Sequence, residues 1–155
     1  MQDYPRRPPR IQLFQKVSPF YFVTFNTFKQ RKLLARLDLH KVFIHFCQRA
    51  RDEHNIEVGN YVIMPDHIHL FVRLNSEKRL AQWVQSLRSV LGKVLVSKGI
   101  DKPHWQEGFF DHVMRSSESY REKWHYINEN PVRAGLCKVV TEWPYRGEIN
   151  RVSLS

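Results

Sequence analysis

The chain has 155 residues, 42% of them apolar, which suits one domain with a proper core. Its 25 Lys and Arg against 15 Asp and Glu leave a net charge of +10. That charge points to a polyanionic partner, nucleic acid being the commonest, against the plainer reading of a merely soluble basic protein. Cys47 and Cys137 form no CxxC or Cys/His zinc spacing, so a disulfide framework is excluded. No stretch is apolar enough to span a membrane, and the Pro- and Arg-rich start has no apolar h-region, so the expected location is the cytoplasm.

Residues 1–15 read as a flexible basic arm, with Arg6, Arg7 and Arg10 set among prolines. The aromatic and β-branched run Phe20–Thr27 predicts a strand. From about residue 33 to 53 a helical period places Leu39, Phe43, Phe46, Cys47 and Ala50 on one face. Strands follow at 57–63 and 67–74, with Pro65-Asp66 as the turn of a hairpin. Leu80, Trp83, Val84, Leu87, Leu91, Val94 and Leu95 then form a single stripe, capped by Ser76 and ended at Gly99. Residues 109–115 read as a fourth strand. A last helix starts near Ser116 or Ser117 and runs to about Asn130, where Pro131 breaks or restarts it. The order is βαββαβ plus a helix: an α+β, ferredoxin-like (RRM-like) antiparallel sheet, with two helices on one face and an extra C-terminal helix. Residues 16–138 form the domain, and 139–155 are expected as a tail.

The most informative segment is Met64-Pro65-Asp66-His67-Ile68-His69-Leu70-Phe71-Val72. Side chains alternate along a strand, so His67 and His69 project together while Ile68, Leu70 and Val72 fill the other face. In this topology the first and third strands are central, so the pair sits mid-sheet. Two imidazoles on a rigid strand are most of a metal site. The last helix is the best source of the rest. Tyr120, Trp124 and Ile127 make its apolar stripe, whereas Tyr126 falls on the polar face with Asn130 and Arg133. A divalent ion on His67, His69 and Asn130, Mg²⁺ or Mn²⁺ by its mixed N/O ligands, would polarise a phosphate oxygen beside a reactive phenol. The product would be a covalent phosphotyrosine link to DNA.

MPDHIHLFV resembles the HUH motif of single-strand DNA nucleases. WQEGFFDHVMR followed by YINENPVRAGL is similar to the single-tyrosine transposases of insertion sequences, the REP-associated tyrosine transposases above all. The resemblance spans about residues 18–137. It implies the same sheet with helices, Tyr126 as nucleophile, His67 and His69 as metal ligands, and a polar ligand at Asn130. It also implies strand transfer on single-stranded or hairpin DNA by a monomer or homodimer, a nucleoid-associated role. That subgroup opens with a glycine pair before its first strand, where this chain has Lys16-Val17-Ser18-Pro19.

Arg6, Arg7, Arg10, Arg73, Arg115, Arg121 and Arg133 are the candidate phosphate contacts. Glu122 and Glu129 read as solvated carboxylates, with assistance to the metal as the alternative use, and His112 on the fourth strand has no forced role, an exposed or packed position being the commoner one. Trp105 and Phe109 are candidates to stack an unpaired base, with core packing the commoner use of Phe109. The rival readings are a non-catalytic RRM-like single-strand nucleic-acid-binding module, with Phe71 in line with the histidines, and a small phosphohydrolase.

Overall fold

The computed structural model describes residues 18–74 and 79–154. The elements are β1 (Phe20–Asn26), α1 (Leu37–His54), β2 (Glu57–Ile63), β3 (His67–Arg73), α2 (Leu80–Ser97), β4 (Phe110–Met114), α3 (Ser117–Asn128), a short α4 (Asn130–Arg133) and β5 (Arg146–Glu148). The five strands form one antiparallel sheet in the order β4-β1-β3-β2-β5. The expected α+β ferredoxin-like order is therefore present, with β1 and β3 in the middle. The arm at residues 1–15, including Arg6, Arg7 and Arg10, and the cap expected at Ser76 lie outside the described residues.

Period-two alternation sorts the central strands onto two faces. Val23 and Phe25 of β1, with Ile68, Leu70 and Val72 of β3, pack against Leu39, Phe43 and Cys47 of α1 and Leu87, Leu91 and Leu95 of α2. Burying each large aliphatic or aromatic side chain there is worth about 1.5–3 kcal/mol. Asn55, at φ 56°, ends α1, and Gly99, at φ 77°, ends α2. The helix predicted from residue 33 begins only at Leu37, because Leu33 and Leu34 instead donate backbone N–H bonds to Pro65. Those bonds, with Thr27 N–H donating to the Asp66 carbonyl at 2.9 Å, hold down the β2–β3 turn just before His67.

The other face is only half open. Phe20, Phe22 and Phe71 form a second cluster with Met114, Tyr120, Ile127 and Val152, so α3 lies across one end of it. Tyr120 stands edge-on to Phe20 at 4.8 Å and to Phe71 at 4.6 Å. Its hydroxyl accepts from the Asn60 side chain at 2.7 Å, where the β2–β3 register shifts between Val58 and Tyr61. A Cβ on Gly59 would come within 2.9 Å of that hydroxyl, so a side chain there would force the Tyr120 ring to shift. The expected tail is corrected: Arg146–Glu148 pairs with β2 at the sheet edge, and Val152 is buried in the second cluster. The edge of β2 leaves backbone groups in need of partners, and this segment supplies them.

Candidate active site

His67 and His69 project from mid-sheet on the face that α3 leaves open, their ring centroids 4.7 Å apart and nearly perpendicular. Each imidazole is fixed through Nδ1. The His67 Nδ1–H donates to the Asp66 carboxylate at 2.8 Å. Nδ1 of His69 lies 2.7 Å from the Thr24 hydroxyl, directly opposite on β1. With Nδ1–H donating in both rings, each Nε2 keeps its lone pair for a ligand, the arrangement by which outer groups orient metal-binding histidines. Phe22 stacks on His69 at 5.5 Å. Burial first, then electrostatic coupling to His67 and to the cations Lys123 and Arg133, pushes His69 down to about 3, so it is neutral and able to coordinate at ordinary pH.

The last helices supply the rest. Ser116 caps α3, its hydroxyl accepting the Ser119 N–H at 3.1 Å. Tyr120 and Ile127 are buried, Trp124 is half-buried, and Tyr126 is 62% exposed, as the apolar stripe predicts. The helix expected to run to about Asn130 ends at Asn128, and a separate α4 starts at Asn130 with Pro131 in its first turn. Arg133 bridges this break. It donates to the Tyr126 carbonyl at 2.6 Å and to the Asn130 amide oxygen, and its guanidinium lies 4.0 Å from the Tyr126 ring centroid. Tyr126, Asn130 and Arg133 thus come together as one unit. Lys123, over the Phe22 ring at 5.2 Å, and Arg133 bring positive charge to His69.

Among the described residues no three His, Cys, Asp or Glu side chains gather into a metal-holding group. The donors are the two imidazoles, with the Asn130 oxygen engaged by Arg133. Such a set is too sparse for a closed zinc centre. It fits an open site whose remaining positions are filled by phosphate and water oxygens.

The other candidates divide. Arg115 and Arg121 are exposed at the end of β4 and on α3. Arg73 is turned away: it donates to the Ser153 carbonyl at 2.8 Å and lies over Phe20, at the opposite end of β3 from His67. Glu122 is exposed and Glu129 lies at the helix break. His112 is exposed on β4, opposite Phe22. Phe109 packs against the α1–α2 core, whereas its neighbour Phe110 is 57% exposed and sits opposite Thr24, on the row of His69. Phe71, the platform that an RRM-like module would need, is buried under Tyr120. Thr24, Asp66, Lys123 and Phe110 were not singled out from the sequence. Strand parity through Phe22 and His112 would have found Thr24 and Phe110, while Asp66 reads as turn chemistry alone.

A histidine pair on the central strand of this sheet, facing a helix with an exposed tyrosine, is the frame of a DNA-processing transposase. The family model for IS200-like transposases matches residues 17–130, and the chain belongs to that family. The REP-associated tyrosine transposase of Escherichia coli is 26% identical over 127 residues, 81% of this chain and 73% of that protein. A solved REP-associated tyrosine transposase bound to a REP hairpin superposes with a TM-score of 0.68 at 20% identity, covering 95% of this chain and 96% of that one. A transposase candidate from Deinococcus radiodurans shares the fold at a TM-score of 0.54 and 14% identity, over 78% of this chain and 97% of its own. No helix among the described residues is long and apolar enough to cross a membrane.

Proposed function

We propose that this transposase cleaves and rejoins one strand of hairpin-forming DNA through a covalent 5′-phosphotyrosine at Tyr126. One observation carries the reading. Two imidazoles, each anchored at Nδ1 and free at Nε2, lie on the face crossed by the helix of the exposed Tyr126, with Lys123 and Arg133 beside them. The hairpin substrate is supported by the relatives, a REP-associated transposase and a homologous fold carrying a REP hairpin.

His67 and His69 would hold a divalent ion through Nε2, and Asn130 would join them once Arg133 releases its amide oxygen. Bound Mg²⁺ or Mn²⁺ would polarise a phosphate oxygen and orient the scissile bond. Lys123 and Arg133 offset the negative charge that builds on the phosphate, a role for which a partly desolvated cation is well suited. Arg115 and Arg121, with Arg6, Arg7 and Arg10, track the flanking phosphates. Phe110 offers its exposed ring to a base beside the cleaved linkage. The Tyr126 oxygen attacks phosphorus in line. The bond from phosphorus to the 3′-oxygen breaks, the phenol gives up its proton to solvent, and the leaving oxygen takes one up as a free 3′-OH. Attack by a 3′-OH on the phosphotyrosine reverses the step and joins strands without an external energy source.

Hairpin oligonucleotides incubated with Mg²⁺ or Mn²⁺ test this. The protein is expected to give a covalent adduct that Tyr126→Phe abolishes, and His67→Ala is expected to suppress while leaving hairpin binding in place. Adduct formation by Tyr126→Phe, or equal activity in excess chelator, would sink the assignment.

A further inference from the structure

A cleft of about 780 Å³ opens between α2 and the loop 101–108, away from the histidine site. Its deepest charged group is Arg88, only 8% exposed. Arg88 donates to the Gly108 carbonyl and lies over Phe25 at 5.2 Å and Trp105 at 6.0 Å. It makes no ion pair among the described residues, and its Nε is buried without a hydrogen-bond partner. A buried guanidinium without a carboxylate partner is costly to maintain, and Arg88 lines the cleft, so an acceptor entering there would offset part of that cost. Lys93 and Lys102 are exposed at the rim, and Glu107 is the one carboxylate in the lining. The Trp105 indole is locked by its N–H donating to the Arg88 carbonyl at 3.1 Å, so the wall is preorganised.

The loop is also tied to the strand beside the active site. Trp105 bridges to Thr27, and Gln106 N–H donates to the Asn26 carbonyl at 3.0 Å. Asn26 in turn pairs with His67 across β1 and β3. The cleft and His67 thus lie at the same end of β1.

We propose that the cleft captures one unpaired nucleotide of the substrate strand, its base along the Trp105 wall, its acceptor atoms on Arg88 and its phosphates on Lys93 and Lys102. Clefts of this size are ordinary for ligands of nucleotide dimensions. Aromatic walls with guanidinium donors are a common means of holding unpaired bases. The inference rests on the transposase reading, since it takes the strand to pass His67.

The test uses the full chain and hairpin oligonucleotides carrying single-stranded extensions, scanned one position at a time with abasic replacements. One extension position is expected to weaken binding by about tenfold or more when its base is removed. Ser89→Tyr, which fills the cleft from an exposed helix position, is expected to erase that penalty, as is Arg88→Gln. The ratio of affinities for extended and blunt hairpins should fall in both. Ser89 is exposed, so Ser89→Tyr removes no buried side chain and keeps the test meaningful if Arg88→Gln does not fold. A full abasic penalty in folded Ser89→Tyr, or no penalty at any position of the wild type, overturns the cleft. So does binding of a free deoxynucleoside monophosphate there with no effect of the extension. Tyr126-independent cleavage overturns the transposase reading instead, and leaves the abasic scan to report on the cleft separately.

Discussion

At the scale of single residues, the proposed site depends on two hydrogen bonds that orient the histidines assigned as ligands. Asp66 holds His67 at 2.8 Å and Thr24 holds His69 at 2.7 Å, both at Nδ1. Asp66→Ala or Thr24→Val should weaken divalent-ion binding by about 10–100-fold without removing a ligand, which titration calorimetry on the folded variants would show. Unchanged affinity in both would mean that Nε2 is not the coordinating atom. His69 also carries a pH signature. Its folded-state value is about 3, below that of an unfolded imidazole, so the unfolded chain takes up the proton first. Its contribution to stability is present above pH ~6.5 and is lost as pH falls from there toward 3. In chelator, acidification from pH 7 to 5 should therefore lower the Tm of the wild type more than that of His69→Gln, with the His69 ring still neutral by NMR at pH 5.

Among the elements, α3 is the one whose seating decides whether Tyr126 faces the histidines. Tyr120 is its anchor, packed between Phe20 and Phe71 and accepting from both the side chain and the backbone N–H of Asn60. Tyr120→Phe keeps the ring and deletes the acceptor, so it should cost about 1–3 kcal/mol in urea unfolding and lower the adduct rate beyond the loss of folded protein. A change under half of that cost would show that the Asn60 contact does not hold the helix. Much of this frame was legible beforehand. The period-two run around His67 fixes which side chains share its face, and the stripes of α1 and α2 fix which sides are buried. The clamp was not legible in the same way. A helix running through Asn130 would place Tyr126 and Asn130 together directly, whereas the break at Glu129 leaves Arg133 to join them. The strand Arg146–Glu148 has no alternation to betray it. It exists because β2 offers an edge and because Gly147, where a Cβ would stand 3.0 Å from the Tyr61 hydroxyl, allows the close approach.

For the whole molecule, the sheet separates stability from chemistry. One face is sealed by α1 and α2. The other is divided between the anchor cluster of α3 and the open half that carries His67, His69 and Phe110. A net charge of +10 suits such a surface to a polyanion, and binding to the proposed hairpin substrate should depend steeply on salt. Charge and fold are shared by binding modules and by enzymes, so the decisive fact is where the covalent bond forms. The most direct measurement is to trap the adduct on a labelled hairpin oligonucleotide, digest it, and map the modified peptide by mass spectrometry. The account predicts a nucleotide joined through its 5′-phosphate to Tyr126. A 3′-linked adduct, attachment to any other residue, or cleavage with no protein-bound DNA would contradict it.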